Sequence, residues 1–420
     1  MAEIAPFAAI RYELQRAGTD LSHLLAPPYD VLSAGDKQRL LARNSRNIVA
    51  IDLPHVPPKE AGPAEAYVHA ARTLLTWLSD GTLTREERPA LYVYHQLFEF
   101  NGRRFVRKKF IARLRLVPFS KGVVLPHEQT FGGPKEDRLA LTRATRCNLS
   151  PIFGLFSDPA DAVGRAFIDC TSKPPDATAI LDGVENRLWI VTDAETIESV
   201  CAALADKVVY IADGHHRYGT AMMYRDELAE HDGGPLPYEH PANFTMFVLG
   251  SMDDPGCLIL PYHRVLVASL GQAPLRAEQL IEVWSAGVSQ VPTDSADLVL
   301  FEGASGRSFG LTFADRARMN KLAPDRGAAW RQLDAAYLHR YLLDELIPSR
   351  WRGPAPALRY VNSADDARKL ATTENGVALL MRPTPMAQLR AVSETGDLMP
   401  QKSTYFYPKL ATGLTINPLY

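Results

Sequence analysis

The chain has 420 residues, of which 46% are hydrophobic and 22% are charged. That length exceeds what a single hydrophobic core usually supports, so we expect two or three closely packed subdomains. The 46 Lys and Arg nearly balance the 48 Asp and Glu, which excludes a protein that coats nucleic acid through its overall charge. The start of the chain lacks the pattern of a signal peptide, and no run approaches about 18 apolar residues, so we expect a cytoplasmic protein without membrane association.

Two helices are predicted near the start of the chain. Ser33 followed by Asp36 has the spacing of a capping box, which predicts a helix that runs to about Arg43. A second helix is predicted over residues 64–78, and the following Gly81 would end it. Its core-facing side chains are expected at helical spacing, namely Tyr67, Ala71, Leu74, Leu75 and Leu78.

A β-hairpin is the clearest strand prediction. Residues 92–100 and 104–114 alternate apolar and polar side chains around Asn101 and Gly102, the dipeptide best suited to a two-residue type I′ turn. Further on, the β-branched run at residues 208–211 predicts a short strand, and helical periodicity begins at Tyr218. The segment at residues 213–217 is therefore expected to join a strand to a helix.

The rest of the chain mixes strands and helices without strict alternation. A long helix is predicted at residues 328–346, and strands are predicted at residues 244–249, 298–301, 309–313 and 377–381. This mixture favours an α+β (mixed α/β) fold over a uniform doubly wound sheet. We place a catalytic core in residues 1–265 and an α/β subdomain in residues 266–420, whose segment 399–410 is expected to return to the site.

The strongest functional signal is the turn Asp213, Gly214, His215, His216 and Arg217. Gly214 permits a tight backbone turn close to a ligand, and the start of the following helix offers N–H groups and a positive dipole end to phosphate. Arg217 adds a fork of donors, both imidazoles titrate near neutrality, and Asp213 could bind a metal ion or accept a hydroxyl proton. In the structural alternative, one histidine caps the helix and Arg217 pairs with Asp226 or Glu227.

A second polar segment, residues 126–138, follows an apolar run. His127 and Glu128 could act as acid, base or metal ligand, whereas Lys135 and Arg138 could hold an anionic substrate. The alternative is an ordinary solvated helix start. A zinc-protease helix is not indicated, because such a helix carries two histidines and only one accompanies Glu128.

Two further segments give weaker signals. Two prolines precede Tyr29 and Asp30 and fix the local backbone, either for a structural purpose or to place these two side chains for phosphate or substrate binding. Near the C-terminus, residues 399–409 combine Lys402, Ser403 and Thr404 with an aromatic stripe, which suits a nucleotide or phosphate pocket. In the alternative interpretation this segment is an edge strand whose Lys402 and Lys409 face water.

Familiar catalytic patterns are missing from the sequence. The glycine patterns of Walker-type nucleotide sites, dinucleotide-binding sites and α/β-hydrolases do not occur. The cysteines lie far apart, without the spacing of a zinc ribbon or a redox pair, and we expect free thiols at Cys147, Cys170, Cys201 and Cys257.

Taken together, the ordered motifs resemble a bacterial family called domain of unknown function 1015. The motifs that carry this resemblance extend over nearly the whole chain and comprise residues 26–31, 127–130, 137–138, 148, 150–153, 213–218 and 399–409. The resemblance adds Thr130, Asp137 and Asn148 to the residues expected to bind substrate or phosphate. It supplies no established activity.

The turn itself is similar to the signature turn of the ParB and sulfiredoxin superfamily, which binds nucleotide phosphates there. Free-serine kinases in that superfamily carry the same Asp-Gly-His-His-Arg sequence. The resemblance implies a ParB/sulfiredoxin-like nucleotide-binding core with additional α/β subdomains. Sulfinic acid repair is disfavoured because His215 stands in the turn where sulfiredoxin has a cysteine, and DNA partitioning because the sequence shows no basic recognition helix.

The resulting hypothesis is a nucleotide-dependent phosphotransferase that acts on a small hydroxylated metabolite, with serine or phosphoserine as the first guess. Arg217, His215, His216 and the helix N–H groups would hold the transferring phosphate, and Asp213 or Glu128 would accept the hydroxyl proton. Lys135 and Arg138 would anchor the substrate, and Lys402 would close over it.

The resemblance also implies the cofactors and partners. ATP or ADP with Mg²⁺ is expected, with Asp213 and Glu128 as the metal ligands. A small-molecule phosphatase and a noncatalytic, nucleotide-responsive binding protein are the alternatives. Nucleic acid is not an expected partner, and the sequence leaves a homodimer open.

Overall fold

The structure is a computed structural model, and it describes residues 2–17, 20–57, 60–128, 132–269 and 271–420. The chain divides into two units. The first unit comprises residues 1–126, 130–257 and 408–420, and the second comprises residues 127–129 and 258–407. The boundary suggested by the sequence lies between residues 265 and 266. Of the segment 399–410, residues 399–407 belong to the second unit and residues 408–410 to the first.

The strands are short outside the central hairpin. In chain order they are β1 Ile4–Ala5, β2 Ile10–Tyr12, β3 Leu83–Arg85, β4 Leu91–Phe100, β5 Arg103–Arg115, β6 Val124–Leu125, β7 Cys147–Asn148, β8 Ile152–Phe156, β9 Ala177–Leu181, β10 Val184–Val191, β11 Val209–Asp213, β12 Phe244–Ser251, β13 Leu258–Leu260, β14 His263–Val267, β15 Val288–Val291, β16 Leu298–Glu302, β17 Ser308–Phe313, β18 Ala357–Val361, β19 Val377–Met381, β20 Tyr405–Tyr407 and β21 Asn417–Pro418.

The helices range from single turns to 17 residues in length. In chain order they are α1 Leu14–Ala17, α2 Ala34–Arg43, α3 Val49–Asp52, α4 Ala64–Ser79, α5 Gly132–Thr145, α6 Ala162–Ala166, α7 Ile168–Thr171, α8 Ala194–Leu204, α9 His215–His231, α10 Ala277–Val283, α11 Met319–Leu322, α12 Ala328–Arg331, α13 Asp334–Ala336, α14 Ile347–Arg350, α15 Ala364–Thr373 and α16 Met386–Glu394. Short 3₁₀ turns lie at Leu21–His23, Tyr29–Val31, Phe119–Lys121, Pro241–Asn243 and Arg316–Arg318, and a π-type helix spans Tyr337–Leu346.

The first unit is built on a nine-stranded sheet with the order β6-β11-β8-β12-β5-β4-β10-β9, and β1 pairs with β5. The predicted hairpin is confirmed as β4 and β5, which pair from Tyr92 to Phe100. Asn101 and Gly102 have φ of 50° and 71°, the left-handed conformations that a type I′ turn requires. In α2, the predicted capping box between Ser33 and Asp36 is also confirmed.

The two faces of this sheet differ in character because successive strand residues point to opposite sides. On β5, Phe110 and Ala112 belong to the apolar core that α8 and α9 help to cover. On the other face, polar side chains lie under the C-terminal segment. There the Gln96 side-chain amide donates to the Lys409 carbonyl at 3.0 Å, and the Ala411 N–H donates to Tyr94 Oη at 3.2 Å. These bonds fix the position of Lys409 in the first unit.

The second unit contains a six-stranded sheet with the order β15-β17-β16-β19-β14-β18. The predicted strands at residues 298–301, 309–313 and 377–381 appear in it as β16, β17 and β19. Residues of β14, β19 and α15 form an apolar cluster, with Val265, Ala378 and Ala371 fully buried. Together the two units confirm the mixed α+β fold.

Two predictions about helices are wrong in detail. The long helix expected at residues 328–346 stops after Arg331, because Leu333 adopts an extended conformation with ψ of 130° before a new helix starts at Asp334. In α4, Leu75 is 65% exposed, and the buried stripe consists instead of Tyr67, Ala70, Leu74 and Trp77. Apolar spacing alone therefore placed the helix α4 correctly but not all of its buried face.

Within the described ranges, none of the helices combines the length and the apolar character needed to cross a membrane.

Candidate functional site

The predicted turn joins a strand to a helix in the first unit. β11 ends at Asp213, Gly214 adopts a left-handed conformation with φ of 98°, and α9 begins at His215. Glycine is favoured there because a Cβ atom would crowd the neighbouring backbone. The Tyr218 N–H then donates to the Gly214 carbonyl at 3.0 Å and closes the first turn of α9. The strand–turn–helix prediction is confirmed.

Gly214 also leaves space for the side chain of Arg217. A Cβ atom at position 214 would lie 3.0 Å from Arg217 Nε and 3.1 Å from Cζ. The guanidinium therefore lies directly against the turn, and a larger residue at position 214 would clash with it.

We expect Gly214→Ala to weaken both the fold and the turn. A left-handed conformation costs a non-glycine residue roughly 1–2 kcal/mol, and the added methyl group would displace Arg217. Gly183→Ala is the matched control, since Gly183 has φ of 77° and open space around it. Urea unfolding should show lower stability in both variants, with the larger loss in Gly214→Ala, because only there does the added methyl group meet a neighbouring side chain. Equal losses in the two variants would contradict the argument from crowding.

Asp213 is held between two cations. Arg217 Nη2 donates to Asp213 Oδ1 at 3.1 Å, and Lys409 Nζ donates to Asp213 Oδ2 at 2.6 Å. All three side chains are largely buried. Burial favours the neutral acid, but Lys409 and Arg217 outweigh it and hold the pKa of Asp213 well below its usual range. Asp213 therefore stays ionised at neutral pH.

Arg217 is anchored on further sides. Its guanidinium donates to the carbonyl of Pro151, just before β8. The Tyr29 ring lies 6.0 Å from Arg217 Cζ and 3.9 Å from Arg138 Cζ, so one buried aromatic ring faces both guanidinium groups. These contacts hold Arg217 beside the start of α9.

The structural alternatives for Arg217 and Lys409 are wrong. Asp226 pairs with Arg225, and Glu227 pairs with Arg143 on α5, so neither acid binds Arg217. Lys409 does not face water, because its ammonium bonds to Asp213.

A buried polar cluster lies beside Arg217. Asp52 Oδ2 accepts from Ser150 Oγ at 2.7 Å, and the Asp52 carbonyl accepts from Arg138 Nη1 at 2.6 Å. Burial raises the pKa of Asp52, although Arg138 and the Ser150 hydrogen bond oppose the shift. The cluster borders a cavity of about 40 Å³ that Arg217 and Asn148 also line. A cavity of this size accommodates water molecules and is too small for a nucleotide.

The motif residues on α5 contact the same region. The buried Asp137 accepts from Tyr67 Oη at 2.8 Å and pairs with Arg138 at 2.6 Å. The Arg138 guanidinium therefore already contacts two carboxylate residues and the Tyr29 ring. Lys135 lies along α9, where its Cε would be 3.1 Å from a Cβ atom at Gly219.

Two other predicted binding residues differ in their surroundings. Asn148 Oδ1 accepts from the Met246 N–H at 3.1 Å and from Asn417 Nδ2 at 2.9 Å, so its amide links β12 to the C-terminal strand. Asp30, next to the buried Tyr29, is exposed.

Several predicted site residues belong to the second unit. His127 is buried, and its Nε2 lies 2.9 Å from Thr404 Oγ1, within hydrogen-bond distance. The neighbouring Glu128 is partly buried. Lys402 has a left-handed φ of 59°, and its carbonyl accepts from Arg264 Nη2 at 3.0 Å. The carbonyl of the buried Ser403 accepts from Thr384 Oγ1 at 3.0 Å.

Thr130, which the sequence also suggested for binding, lies outside the described residues.

Sequence reasoning missed Asp52 and the contact of Lys409. A weak signal for Asp52 was available, because it is a single acid inside the apolar run at residues 48–53. Lys409 lies in a motif that was noted, but nothing in the sequence pairs it with Asp213. Only the pairing of the C-terminal segment with the sheet brings the two side chains together.

Fold and turn together define a mixed α+β protein with an arginine-bearing strand–turn–helix site of the kind that suits phosphate. The sequence matches the family described as "Protein of unknown function (DUF1015)" over residues 4–336. The chain therefore belongs to this family. No curated protein matches the sequence.

Several solved structures are similar to the chain at low sequence identity. A free serine kinase variant in complex with AMP is 12% identical, with 70% of this chain and 89% of that chain covered and a TM-score of 0.34. SbnI with a C-terminal truncation, from Staphylococcus aureus, is 11% identical, with 74% and 87% covered and a TM-score of 0.35. A conserved hypothetical protein from Pyrococcus furiosus is 13% identical, with 70% and 91% covered and a TM-score of 0.33. Similarity at this level leaves function to be argued from the residues of this chain.

Proposed function

We propose that the protein is a nucleotide-dependent phosphotransferase that acts on a small hydroxylated metabolite, with serine as the first substrate to test. The observation that carries this proposal is the convergence of Arg217 and Lys409 on Asp213 at the start of α9. These two buried cations and the N-terminus of α9 lie together where β11 ends at Asp213. This combination suits a phosphoryl group, which needs several positive groups around its oxygens.

The cations would exchange one anion for another when phosphate binds. Arg217 and Lys409 now share the carboxylate of Asp213, at 3.1 and 2.6 Å. A phosphate placed at the start of α9 would offer oxygens to both groups, and the Arg217 fork would bind two of them. The anchors at Pro151 and Tyr29 would keep Arg217 oriented during this exchange. Little reorganisation is then needed as charge develops in the transition state.

The ionised state of Asp213 favours a positioning role over proton abstraction. A general base works best with a pKa near the working pH, whereas the pKa of Asp213 is held below its usual range. Asp213 is therefore a hydrogen-bond acceptor that would orient a substrate hydroxyl or the phosphate-binding cations. The proton itself would go to the transferring phosphate or to another carboxylate acting as the base, for which Glu128 remains the candidate.

A metal ion would have to arrive with the phosphates. Among the residues that the structure describes, no group of three or more His, Cys, Asp or Glu side chains could hold one. Mg²⁺ commonly binds through one or two carboxylates together with phosphate oxygens and water, so Asp213 alone would suffice on the protein side. When bound, Mg²⁺ would neutralise phosphate charge.

The other predicted residues take supporting roles in this proposal. Arg138 would keep Tyr29 and Asp52 in place rather than bind substrate directly, because its guanidinium is already committed to neighbouring groups. Lys135 would anchor the substrate's carboxylate or a second phosphate. For Lys402 and Thr404 we retain the proposed roles in closure and substrate binding, and for His127 the proposed role as acid or base.

Nucleotide binding and turnover together test the proposal. We expect ATP or ADP with Mg²⁺ to raise the melting temperature and to bind measurably by calorimetry, and we expect serine to be phosphorylated in a coupled assay with ATP or ADP as donor. Tight binding without turnover on any small hydroxylated metabolite would favour the nucleotide-responsive binding protein. Release of phosphate from phosphoserine without any nucleotide binding would favour the phosphatase. The absence of both nucleotide binding and turnover would refute the proposal.

A further inference from the structure

A second cavity lies in the first unit, away from the turn at residues 213–217. Its volume is about 390 Å³, within the range of roughly 300–1,000 Å³ typical of small-molecule sites. The floor is apolar and consists of the buried side chains Phe156, Val163, Phe167 and Leu249. Phe156 and Leu249 lie toward the ends of β8 and β12, whereas Asp213 pairs with Phe153 near the start of β8. This floor cavity, as we call it, is therefore separate from the proposed phosphate site.

Apolar side chains also stand exposed at its rim. Ile168 on α7 is 63% exposed, and Val106 on β5 is 43% exposed. Large aliphatic groups at the mouth of an apolar cavity extend the surface that a ligand's apolar body could cover.

One wall presents a cation and an imidazole side by side. His95 on β4 pairs directly with Lys108 on β5, so their side chains are neighbours on the same face of the sheet. Within the described ranges, the Lys108 ammonium makes no hydrogen bond or ion pair. The adjacent Lys109 points to the opposite face, where its ammonium lies 4.0 Å from the centre of the Tyr94 ring. Lys108 is thus the lysine whose charge is available to the cavity.

The imidazole of His95 is neutral near pH 7. Burial, followed by the charges of Lys108 and Lys109, lowers the pKa of His95 to about 4. A neutral imidazole can donate one hydrogen bond to a bound group without adding a second full charge. Its ring packs edge-on against Trp189, with 5.0 Å between ring centres.

Three of the four acidic residues that line the cavity accept hydrogen bonds from backbone N–H groups. Asp158 caps α6 by accepting from the Ala162 and Val163 N–H groups, each at 3.0 Å. Asp254 accepts from the Lys108 N–H at 2.7 Å, and Asp253 accepts from the Asp158 N–H at 2.8 Å. These three carboxylates hold the loops in place, and the fourth, Asp161, is exposed at the start of α6. Of the basic side chains, Arg165 donates to the Ala160 carbonyl, whereas the Lys108 ammonium has no partner among the described residues.

We infer that the floor cavity is a binding site for a small organic acid, with its carboxylate at Lys108 and His95 and its aromatic or branched apolar body on the Phe156 and Phe167 floor. The apolar floor supplies binding energy in proportion to the area it covers, and the charge of Lys108 selects the acid over neutral analogues. This site is independent of the proposed phosphotransfer, because it shares none of the residues assigned to the phosphate.

Calorimetric titration with three acids of increasing apolar size tests the inference: isobutyrate, phenylacetate and 2-naphthylacetate. Phenylacetamide and phenethylamine serve as the neutral and cationic analogues of phenylacetate. The first variant is Lys108→Gln, which removes an ammonium that makes no hydrogen bond or ion pair within the described ranges. The second is Ile168→Glu at the exposed rim. Lys121→Gln is the matched control on another exposed lysine. At least one acid should bind to the wild type and to Lys121→Gln.

In Lys108→Gln the dissociation constant of that acid should rise roughly tenfold, the effect of losing one charge-assisted hydrogen bond. Ile168→Glu should weaken binding of the same acid, because the new carboxylate would repel the carboxylate of the ligand. The amide and the amine should bind the wild type more weakly than phenylacetate does. Binding of none of the three acids would overturn the inference, as would equal affinity for acid, amide and amine or an unchanged affinity in Lys108→Gln.

Discussion

Arg217→Ala is expected to lower kcat/KM for phosphoryl transfer by about 10²–10³-fold, the usual cost of removing one preorganised donor from developing charge. Arg217 is the only side chain of the predicted turn that combines a fixed position with several donors to phosphate oxygens. Its anchors at Asp213 and Pro151 hold the guanidinium at the start of α9, where the neighbouring Lys409 offers a single ammonium in place of a planar fork of donors. Steady-state kinetics and nucleotide calorimetry on the purified variant would measure the loss.

Two further variants separate charge from geometry at this position. Arg217→Lys keeps the charge but loses the fork, so it should retain binding better than alanine while still losing most of the rate. Arg143→Ala is the matched control, because Arg143 forms an exposed ion pair with Glu227 on α9 and such pairs contribute little. If Arg217→Ala kept the wild-type rate, the assignment of the active site to this turn would be wrong.

Asp213→Asn is expected to cost about 3–5 kcal/mol of stability, since it leaves Arg217 and Lys409 largely buried without their carboxylate partner. Lys409→Met should also destabilise the fold, because Asp213 then keeps only Arg217. A double-mutant cycle of these two substitutions should show that the losses are not additive, as expected for groups in direct contact. Additive losses in urea unfolding would contradict a direct Asp213–Lys409 interaction.

The same carboxylate predicts a pH dependence. The pKa of Asp213 is lower in the folded protein than in the unfolded chain, so its contribution to stability is fully present above the ordinary aspartate pKa of about 3.9. That contribution is lost as the pH falls below this value toward the folded pKa. Stability should therefore decline more steeply with acid in the wild type than in Asp213→Asn. Parallel declines from pH 5 downward would show that Asp213 has an ordinary pKa.

Catalysis distinguishes a functional Asp213 from a purely structural one. If Asp213 orients the cations or the substrate, Asp213→Asn should lose activity at temperatures where circular dichroism shows that it is still folded. Activity that falls only in proportion to the unfolded fraction would assign Asp213 to stability alone.

Local sequence signals determined several elements of the fold. Asn101 and Gly102 tolerate left-handed conformations, so they specified the hairpin turn with no help from distant residues. Ser33 and Asp36 specified the start of α2 through a capping box that closes within four residues. Gly214, between an apolar strand and a helical pattern, specified the strand–turn–helix in the same way. Each of these features depends on groups a few residues apart, so the local sequence is sufficient to predict it.

The interrupted helix at residues 328–346 shows the limit of such reasoning. Its apolar spacing is helical throughout, but Leu333 is buried in an extended conformation and the chain restarts at Asp334, whose carboxylate pairs with Arg316. Packing within the second unit outweighed local helix propensity. The exposure of Leu75 on α4 has the same cause, because the elements that pack against a helix determine which of its faces is buried.

By itself, the sequence determined the composition of the candidate site: a glycine turn followed by two histidines, an arginine and a helix, the groups on which the phosphate proposal rests. Only the tertiary structure decided which residues complete it. Lys409 is 196 residues from Asp213 along the chain, and Asp52 is 86 residues from Arg138. Their contacts arise from strand pairing and from the C-terminal segment that covers the sheet. Long-range contacts depend on how whole elements pack, and no pattern of neighbouring residues encodes them.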